Sequence, residues 1–352
     1  MKKMTKNILV APLNWGLGHA ARCVPIINAL LYEGFTPILA SDGPALALLK
    51  KEFPKLKAIE LPSYQIEYAR KGKHFNWKMF KNSPKMLQAI VNEKKVVKKL
   101  VTDLNLCGII SDNRLGVRSK NIPSVFITHQ LNVISGNLSW ITNKLHWNSI
   151  SKFNECWVPD FKNKPNLTGK LGHLKKSDFN IKYLGALSRF EKKEIPVIYD
   201  LMVLLSGPEP QRTMLEEKLK TEILKFEGKV VFINGVVDGL QKSEKIGNTV
   251  FYNYMTSATL ETAINQSAIV LCRSGYTTIM DLAKLQKKAF FIPTPGQGEQ
   301  EYLARKLEEN GIVPYANQDD FKIENLVEAE VFSGLSMPEN NTNWRKLFCL
   351  FE

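Results

Sequence analysis

The stretch Cys272–Asp281 contains residue types that suit a phosphate. It follows the apolar run Ala268–Leu271 and opens an amphipathic helix. A strand that turns through Ser274 and Gly275 into a helix directs free backbone N–H groups and the positive end of the helix dipole at one point. Asp281, two helical turns further on, is placed to receive ribose hydroxyls. The stretch therefore predicts a nucleotide pocket, although an ordinary α/β corner has the same spacing.

Two other segments of the second half have the same strand–loop–helix form. The apolar run Phe290–Ile292 gives way to a loop rich in Gly and Pro and then to a new helix. Leu201–Leu205 is followed by Ser206 and Gly207, a turn that also leads into a helix. Arg212, near the start of that helix, could add positive charge beside a diphosphate. The second half thus offers several corners suited to phosphate.

The first half begins with a glycine-rich turn, directly after the first apolar run. Gly16 and Gly18 permit a tight turn into a helix, and His19 stands at the helix start. A histidine there titrates near neutral pH, and the helix N-terminus lowers its pKa, so it suits a general base. A histidine that merely caps the helix is the alternative.

Two further polar segments follow strands of the first half. Asp112 comes after the apolar run Cys107–Ser111, where it could orient an acceptor hydroxyl or pair with Arg114. The run Ser124–Thr128 is followed by polar side chains at the mouth of the same sheet, namely His129, Gln130 and Asn132. Because the carboxyl ends of parallel strands share one edge, we expect these groups along that edge. Helix capping and ordinary loop polarity are the alternatives.

Strand and helix signals alternate along the whole chain, which predicts parallel, doubly wound α/β sheets. A segment with little periodicity, Gly185–Pro196, divides the alternation into two series. We therefore predict two Rossmann-like domains, residues 1–190 and 191–352, that face each other across a cleft. The last helix, within 338–351, is expected to pack back on the N-terminal domain or to touch lipid. In the first series, the expected strands are Asn7–Ala11, Thr36–Ala40, Leu56–Leu61, Cys107–Ser111, Ser124–Thr128 and, as the last, Glu155–Pro159. In the second series, they are Leu201–Leu205, Val230–Asn234, Thr249–Tyr252, Ala268–Leu271 and Ala289–Ile292. Helices are expected over about 20–33 and 84–103.

Charge is divided unevenly between the two predicted domains. Within the formal net charge of +14, residues 1–190 carry 30 Lys and Arg against 11 Asp and Glu, whereas residues 191–352 carry 18 against 23. A basic half favours partners that bear phosphates, such as nucleic acid or an anionic membrane surface. A lysine-rich surface without a partner is the plain alternative.

Other features narrow the class of protein. No apolar run is long enough to span a bilayer, and Ile8–Pro12 is too short for a secretory signal. Five scattered cysteines without a Cys-x-x-Cys pair favour reduced thiols in the cytoplasm, and Cys272 fits a buried thiol. The sequence has no Asp-x-Asp motif, no metal-ligand spacing and no Walker motif, so we expect neither a metal nor a resident cofactor.

In this order, the motifs resemble those of the GT-B glycosyltransferases, and within them the MurG-like enzymes of family 28. Cys272–Asp281 and Ile292–Glu301 are similar to the family's Ser-Arg-x-Gly…Glu and Pro…Gln-Gln donor signature. Gly16–His19 resembles its N-terminal glycine-rich loop that ends in His, and Thr128–Asn132 resembles its His-Glu-Gln-Asn segment. Ser206–Gly207 stands where the family has Gly-Gly-Ser. The resemblance covers both predicted domains.

The resemblance implies roles for the matching residues. Asp281 would hold ribose hydroxyls in place of the family's usual Glu, and Gln300 would contact the donor sugar. Glu301 stands where a second Gln is common. The implied catalytic residues are His19 and Asp112. The implied acceptor-side residues are Gly16, Gly18, His129, Gln130 and Asn132. The implied donor-site residues are Ser206, Gly207, Arg212, Arg273, Ser274, Gly275, Thr277, Asp281, Gln297, Glu299, Gln300 and Glu301.

The implied activity is that of a hexosyltransferase, which moves a sugar from a nucleotide-diphosphate donor such as UDP-N-acetylglucosamine to a hydroxyl acceptor. Inversion at the sugar and metal-free stabilisation of the leaving diphosphate are expected. His19, or a nearby carboxylate such as Asp112, would deprotonate the acceptor. A lipid-linked acceptor would explain the basic, aromatic segment Lys73–Lys81, which we expect on anionic headgroups. The enzyme would then be cytoplasmic and peripheral on the inner face of the membrane.

Three alternatives remain open on the sequence. A nucleotide-sugar 2-epimerase of the same fold would use the same donor site without an acceptor. A basic nucleic-acid-binding protein would fit the charge but has no recognisable motif here, so no nucleic acid is expected. A dinucleotide oxidoreductase would use Gly16, Gly18 and Asp42, and it leaves the pocket of the second domain unexplained.

Overall fold

The computed structural model describes residues 6–64, 75–134, 139–207, 209–236, 239–336, 338 and 342–352, with only the helical backbone given for 75–84. The chain forms two compact units. The first comprises residues 1–67, 79–187 and 339–352, and the second comprises residues 68–78 and 188–338. The side chains of the predicted headgroup-binding segment Lys73–Lys81 lie outside the described residues.

The first unit contains a seven-stranded sheet. Its strands are β1 (Asn7–Pro12), β2 (Thr36–Ser41), β3 (Ala58–Glu60), β4 (Leu106–Asp112), β5 (Ser124–Ile127), β6 (Glu155–Val158) and β7 (Ile181–Tyr183). They lie in the order β3-β2-β1-β4-β5-β6-β7, and every neighbouring pair is parallel. The accompanying helices are α1 (Gly18–Tyr32), α2 (Gly43–Glu52), α3 (Phe75–Asp103), α4 (Ser139–Ile150) and, from the end of the chain, α10 (Trp344–Phe348).

Burial explains why the strands of this unit are continuous apolar runs. Every residue of Ile8–Ala11 is fully buried, which requires cover on both faces of the sheet. Leu9 and Ala11 share one core with Ile38 of β2 and Val97 of α3. Because these strand residues are buried, a functional site can form only in the loops at the carboxyl ends of the strands.

The C-terminal segment closes the core of the first unit. The ring centroid of Phe348 lies 5.7 Å from that of Phe35 and 6.2 Å from that of Trp157. The ring of Phe351 packs over Gly108, where a Cβ would lie 2.2 Å from a ring carbon. Glycine at this position of β4 therefore makes the space that the ring fills.

The second unit contains a six-stranded sheet. Its strands are β8 (Tyr199–Leu204), β9 (Val230–Ile233), β10 (Ser243–Ile246), β11 (Thr249–Tyr252), β12 (Ser267–Cys272) and β13 (Lys288–Phe291), in the order β10-β11-β9-β8-β12-β13. All neighbours are parallel except the hairpin β10–β11. The helices are α5 (Gln211–Glu222), α6 (Ser257–Asn265), α7 (Tyr276–Lys284), α8 (Gly298–Glu309) and α9 (Glu328–Val331).

The two sheets confirm the predicted fold class of two Rossmann-like α/β domains, while several element boundaries differ. α3 begins at Phe75 and continues through Pro84, where the sequence predicts its start. Glu155–Val158 is not the last strand of the first series, because β7 adds an edge strand. β7 has three residues, and every residue of β10 is exposed. Neither short nor fully exposed strands carry the apolar pattern from which strands are predicted.

Candidate active site

The candidate residues of the first unit lie where the strand order reverses. β1 pairs with β2 on one side and with β4 on the other, so the connections that follow β1 and β4 leave a crevice at the carboxyl edge. His19 is the second residue of α1, which follows β1. Asp112 is the last residue of β4 and pairs with Pro12 at the end of β1. The topology of the sheet therefore brings His19 and Asp112 to one place.

The predicted glycines shape the turn that leads to His19. Gly16 has a φ of +80°, in the left-handed region that favours glycine. Gly18 is the first residue of α1. The turn Asn14–Leu17 thus places His19 at the helix start, as the sequence predicts.

His19 and Asp112 are in direct contact, and Arg22 contacts both. Nδ1 of His19 lies 2.9 Å from Oδ1 of Asp112. Arg22 donates from Nε to Oδ2 of Asp112 at 2.6 Å and from Nη2 to Oδ1, and Nη2 also lies 2.8 Å from Nδ1 of His19. The side chain of Asp112 is fully buried and that of His19 is 13% exposed. The buried carboxylate orients the histidine, and Arg22 compensates its charge.

The protonation of this group suits a general base. Burial lowers the pKa of His19, and the charge of Arg22 lowers it further, against the opposing effect of Asp112. Burial alone would raise the pKa of Asp112, but Arg22 and His19 hold it well below its ordinary value. We assign the ring proton to Nδ1, where it is donated to the charged carboxylate of Asp112. This tautomer leaves the lone pair on Nε2 of His19. Nε2 has no hydrogen bond within the described part of the chain, so it can take a proton from a hydroxyl.

Asp112 itself is not placed to touch an acceptor. Both of its oxygens accept from Arg22, and none of its side chain is exposed. We therefore revise its predicted role from base to positioning residue. The predicted pairing of Asp112 with Arg114 is wrong, because Arg114 pairs with Glu93 at 2.6 Å and Asp42 at 2.8 Å. Asp42, which would bind the ribose in the dinucleotide-oxidoreductase alternative, is therefore already paired with the buried side chain of Arg114.

The three predicted acceptor-side residues that follow β5 have different surroundings. His129 joins the first network, since its Nδ1 lies 2.9 Å from Nη1 of Arg22. Gln130 is half-buried. Asn132 donates from Nδ2 to two backbone carbonyls of a neighbouring loop, at 2.6 and 3.2 Å. His129 is therefore beside the predicted base, whereas the amide nitrogen of Asn132 fixes the loop.

Helix α4 holds this loop from its other side. Three of its side chains bond to the backbone of residues 130–133. Asn143 accepts from the N–H of residue 133 at 2.6 Å, Nε2 of His146 lies 3.0 Å from the carbonyl oxygen of residue 130, and Trp147 donates from Nε1 to the carbonyl of residue 131 at 2.6 Å. The position of the acceptor-side loop thus depends on α4.

The candidate donor residues lie at the equivalent place in the second sheet. β8 pairs with β9 on one side and with β12 on the other. Helices α5, α7 and α8 follow β8, β12 and β13. The first turn of each helix has backbone N–H groups without an intrahelical partner and the positive end of the dipole. The carboxyl edge of this sheet is therefore suited to an anion.

Arg273 has a different role from the predicted one. The residue is 1% exposed, and its guanidinium donates to four acceptors of the protein. Nη1 binds the carbonyls of Ile292 and Pro293 at 3.1 and 3.0 Å, and Nη2 binds the carbonyl of Gln211 at 2.9 Å and Oε1 of Gln318 at 2.6 Å. These bonds join the loop before α8 to the first residue of α5. We therefore revise Arg273 from a predicted donor-site ligand to an internal support of the donor corner.

The other residues of this corner divide between support and open space. Ser274 is fully buried and donates to the carbonyl of Gln300 at 2.9 Å, which fixes α8 beside α7. Gly275 caps α7, and a Cβ added to it would meet only Oγ1 of Thr278, at 3.9 Å. Thr277, in the first turn, is half-buried. The surface offered to a ligand is therefore the backbone of Gly275 and the start of α7.

The Ser206–Gly207 turn is exposed, and Arg212 is occupied. Gly207 has a φ of +109°, and no other atom lies within 4 Å of the position that a Cβ would take, so its conformation rather than its space requires glycine. Arg212 donates to the carboxylates of Glu209 and Glu216. Its charge is compensated by two acids, which does not support the predicted contact with a diphosphate.

The first turn of α8 holds the loop that precedes it. Gln300 accepts through Oε1 from the N–H of Thr294 at 2.8 Å and donates from Nε2 to Oε1 of Gln297 at 2.7 Å. Glu301 accepts from the N–H of Gly296 at 2.8 Å. Glu299 is half-buried in the same turn. Since Gln300 can make four hydrogen bonds, it keeps one donor and one acceptor for a sugar.

Asp281 is buried on the inner side of α7. Its Oδ1 accepts from Oγ of Ser188 at 2.6 Å. Burial raises the pKa of Asp281 to about 6, although Arg189 and the Ser188 hydrogen bond act in the opposite direction. Within the described residues, this is the one hydrogen bond of the carboxylate, so Oδ2 remains an acceptor.

Sequence reasoning missed the residues that position these groups. Arg22 lies three positions after His19, a spacing that puts both on one helix face, so it could have been found. Ser188 and Gln318 are far from their partners Asp281 and Arg273 in the sequence, and no local pattern connects them. Over the described ranges, no three His, Cys, Asp or Glu side chains form a group able to hold a metal ion. No helix in the described part of the chain is both long and apolar enough to cross a membrane.

The chain is similar to a known family domain and to curated transferases. The family model "Glycosyltransferase family 28 C-terminal domain" matches residues 211–343. A UDP-N-acetylglucosamine--N-acetylmuramyl-(pentapeptide) pyrophosphoryl-undecaprenol N-acetylglucosamine transferase of Glaesserella parasuis is 23% identical over 338 residues, which cover 93% of this chain and 89% of that one. The same-named transferase of Haemophilus ducreyi is 25% identical over 255 residues, 69% of this chain and 67% of its own.

Solved structures share the fold at low identity. MurG of Acinetobacter baumannii superposes with a TM-score of 0.54 at 13% identity, over 99% of both chains. The glycosyltransferase SnogD of Streptomyces nogalater gives a TM-score of 0.64 at 12% identity, over 99% of this chain and all of that one. Together these findings make the chain a glycosyltransferase of the GT-B fold, with a family 28 C-terminal domain over residues 211–343 and similarity to MurG-named transferases along most of its length.

Proposed function

We propose that the enzyme transfers N-acetylglucosamine from UDP-N-acetylglucosamine to a hydroxyl of a lipid-linked acceptor, with inversion and without a metal. The observation that carries the reaction type is His19, whose Nε2 is open while Nδ1 is held by a charged, buried carboxylate. The relatives are named for transfer of this sugar to a pyrophosphoryl-undecaprenol acceptor. The acceptor would bind the first unit and the nucleotide-sugar the second.

The proposed chemistry is a single displacement. Nε2 of His19 takes the proton of the acceptor hydroxyl as its oxygen forms a bond to the anomeric carbon. The bond from that carbon to the diphosphate oxygen breaks, and the opposite side of attack inverts the configuration. The developing negative charge on UDP is stabilised by backbone N–H groups at the start of α7, around Gly275. Asp112 keeps the imidazole in the correct tautomer and stabilises its cationic form.

In this proposal, the location of the enzyme in the cell follows from the nature of its acceptor. A polyprenyl-linked acceptor stays in a bilayer, so the enzyme would work at the cytoplasmic face of the membrane as a peripheral protein. The basic first half supports this, because anionic headgroups attract lysines.

Donor specificity can be measured by thermal stabilisation of the purified chain. UDP-N-acetylglucosamine at about one hundred times its Kd should add about 2.7 kcal/mol to the free energy of unfolding. GDP- and dTDP-sugars serve as controls and should add less. Transfer should also be unchanged by EDTA.

Two results would contradict the proposal. Stabilisation by none of the nucleotide-sugars would remove the donor site. Conversion of the UDP-sugar to its epimer in the absence of any acceptor would favour the 2-epimerase instead.

Replacement of Asp281 by Asn should stabilise the free protein and weaken nucleotide binding. The pKa of Asp281 is raised to about 6, so stability is lost as the pH rises from about 4 through 6 and the buried charge forms, at a cost of up to about 3 kcal/mol at pH 7. Asn removes that charge and can still accept from Ser188. It also removes the charged acceptor for ribose hydroxyls, so UDP should bind about tenfold more weakly, the size expected for a hydrogen bond to a charged group.

Denaturant unfolding at pH 5 and pH 7.5, together with calorimetric titration of UDP, checks both effects. Thr262→Val, which alters a half-buried side chain of α6 outside the predicted donor-site residues and removes no charge, is the control. Equal UDP affinity in Asp281→Asn and the parent protein would rule out the ribose contact.

A further inference from the structure

Arg22 lies at the centre of the first unit's site and contacts three of its side chains. Nε donates to Oδ2 of Asp112 at 2.6 Å, and Nη2 donates to Oδ1 of the same carboxylate. Nη1 lies 2.9 Å from Nδ1 of His129, and Nη2 lies 2.8 Å from Nδ1 of His19. One planar guanidinium therefore joins a carboxylate to two imidazole rings.

The contact with Arg22 decides which nitrogen of His129 carries the ring proton. A guanidinium donates hydrogen bonds and has no acceptor. Nδ1 of His129 can therefore form the 2.9 Å hydrogen bond only through its lone pair, so it carries no proton. The proton of the neutral ring is then on Nε2. In this tautomer His129 can donate through Nε2 but cannot take up a proton there.

Burial disfavours the other proton placements. His129 is 6% exposed and Arg22 2%. A proton on Nδ1 would face an N–H of Arg22 and leave two buried donors in contact with no acceptor between them. An unpaired donor bears the full cost of its desolvation, which a low dielectric increases. A doubly protonated ring would add a second positive charge beside the guanidinium.

His19 has different surroundings at the same ring nitrogen. Its Nδ1 lies 2.9 Å from Oδ1 of Asp112, the charged acceptor to which its ring proton is assigned. The corresponding nitrogen of His129 meets Nη1 of Arg22, which only donates. The two rings therefore have opposite tautomers, with a lone pair on Nε2 of His19 and a proton on Nε2 of His129.

We propose that Arg22 is a positioning residue that fixes His129 as a hydrogen-bond donor at Nε2 and leaves His19 as the base of the pair. The tautomer of His129 rests on contacts within the protein, and only its use in sugar transfer rests on the proposed function. A base beside a donor suits a hydroxyl acceptor, because the base takes the hydroxyl proton while the donor binds another oxygen of the same molecule. The planar fork of arginine is required, since it contacts the carboxylate and the imidazole together.

The first test reads the protonation of each ring nitrogen by long-range proton–nitrogen correlation NMR of the full chain with isotope-labelled histidine. At about pH 8, above the ordinary titration range of histidine, His129 should be unprotonated at Nδ1 and protonated at Nε2. Spectra of His19→Asn and His129→Asn assign the signals. His146 is an internal reference, because its Nε2 lies 3.0 Å from the carbonyl oxygen of Gln130 and must donate to it.

Arg22→Lys keeps the positive charge but removes the planar fork. The ammonium group should pair with Asp112, so His129 should lose its fixed partner and show a mixture of both tautomers, while the signals of His146 stay unchanged. Arg118→Lys, at a half-buried arginine of the same unit, is the matched control and should keep the parent spectrum.

A proton on Nδ1 of His129 in the parent protein would overturn the proposal. So would an unchanged tautomer of His129 in a folded Arg22→Lys variant. If that variant does not fold, the parent spectrum decides alone.

His129→Asn tests the donor role in catalysis. Its Oδ1 can take the place of Nδ1 and accept from Arg22, whereas no atom of Asn takes the place of Nε2. The acceptor KM should therefore rise about tenfold, as expected for the loss of one hydrogen bond. The fall of activity at acidic pH, which protonation of His19 should cause, should remain. Loss of that fall in His129→Asn would overturn the proposal, because His129 would then be the titrating base.

Failure of this inference can be told apart from failure of the proposed function, because the tautomers are read without nucleotide or acceptor. If His129 carries its proton on Nε2 while no nucleotide-sugar stabilises the chain, the assignment of His129 stands and the transferase proposal fails. If the parent protein transfers the sugar while His129 carries its proton on Nδ1, only the inference about Arg22 and His129 fails.

Discussion

Replacement of His19 by Asn should reduce kcat by about 10²- to 10⁴-fold, the usual contribution of a positioned general base. The amide nitrogen of Asn can take the place of Nδ1 and donate to Asp112, so the buried carboxylate keeps its partner. No atom of Asn takes the place of Nε2, which is the atom expected to receive the proton. The loss should therefore appear in kcat, with the donor KM changed little.

The pH profile gives the same experiment a second readout. Burial and Arg22 lower the pKa of His19, so the base stays unprotonated at neutral pH. Activity of the parent should fall only when the pH drops below about 6.5, the ordinary value for histidine. His19→Asn should lose this acidic limb of the profile and keep only a low, flat rate.

His146 provides a matched control because burial lowers the pKa of His146 as well. Its Nε2 lies 3.0 Å from the carbonyl oxygen of Gln130 and is therefore occupied. His146→Asn should reduce stability and keep the acidic limb. Retention of that limb in His19→Asn, or full activity of that variant, would exclude His19 as the base.

Much of the first unit's site follows from local sequence. The glycine turn before His19 and the acid at the end of β4 are each adjacent to an apolar strand, and parallel strands gather their carboxyl ends. The local pattern does not show which charged side chain each buried acid pairs with. Asp112 had Arg114 two positions away, yet it binds Arg22, which reaches it from α1 on the neighbouring connection.

The second unit shows the same limit more strongly. The order of glycine, serine and acid in Cys272–Asp281 indicates a phosphate corner, but it does not say which polar groups face the ligand. Burial decides that question, and it depends on α5, α8 and Gln318, which come from distant parts of the chain. Arg273 and Ser274 face inward and support the corner, whereas Gly275 lies at its open surface.

Replacement of Arg273 by Met should therefore destabilise the second unit by several kcal/mol, even without nucleotide. Four acceptors would lose their donor, and each buried acceptor left unpaired costs about 1–3 kcal/mol. Removal of a buried charge offsets part of this loss, since burial already lowers the pKa of Arg273 to about 10 and no carboxylate is paired with its guanidinium within the described residues. A net loss of about 3 kcal/mol should lower the melting temperature by roughly 6–12 °C.

Hydrogen exchange of the nucleotide-free protein locates the effect. Peptides that cover the start of α5 and the ends of β12 and β13 should exchange faster in Arg273→Met, because the bonds of Arg273 join these segments, while peptides of β1 and β4 should be unchanged. Arg305→Met is the matched control, since it removes an exposed arginine of α8 in the same unit; its effect should be about 0.5 kcal/mol or less. If Arg273→Met instead keeps the stability and exchange rates of the parent but no longer binds UDP, the arginine is a ligand of the diphosphate after all. The two roles therefore predict opposite results in the absence of nucleotide, because an internal support acts on the empty protein and a ligand-binding charge does not.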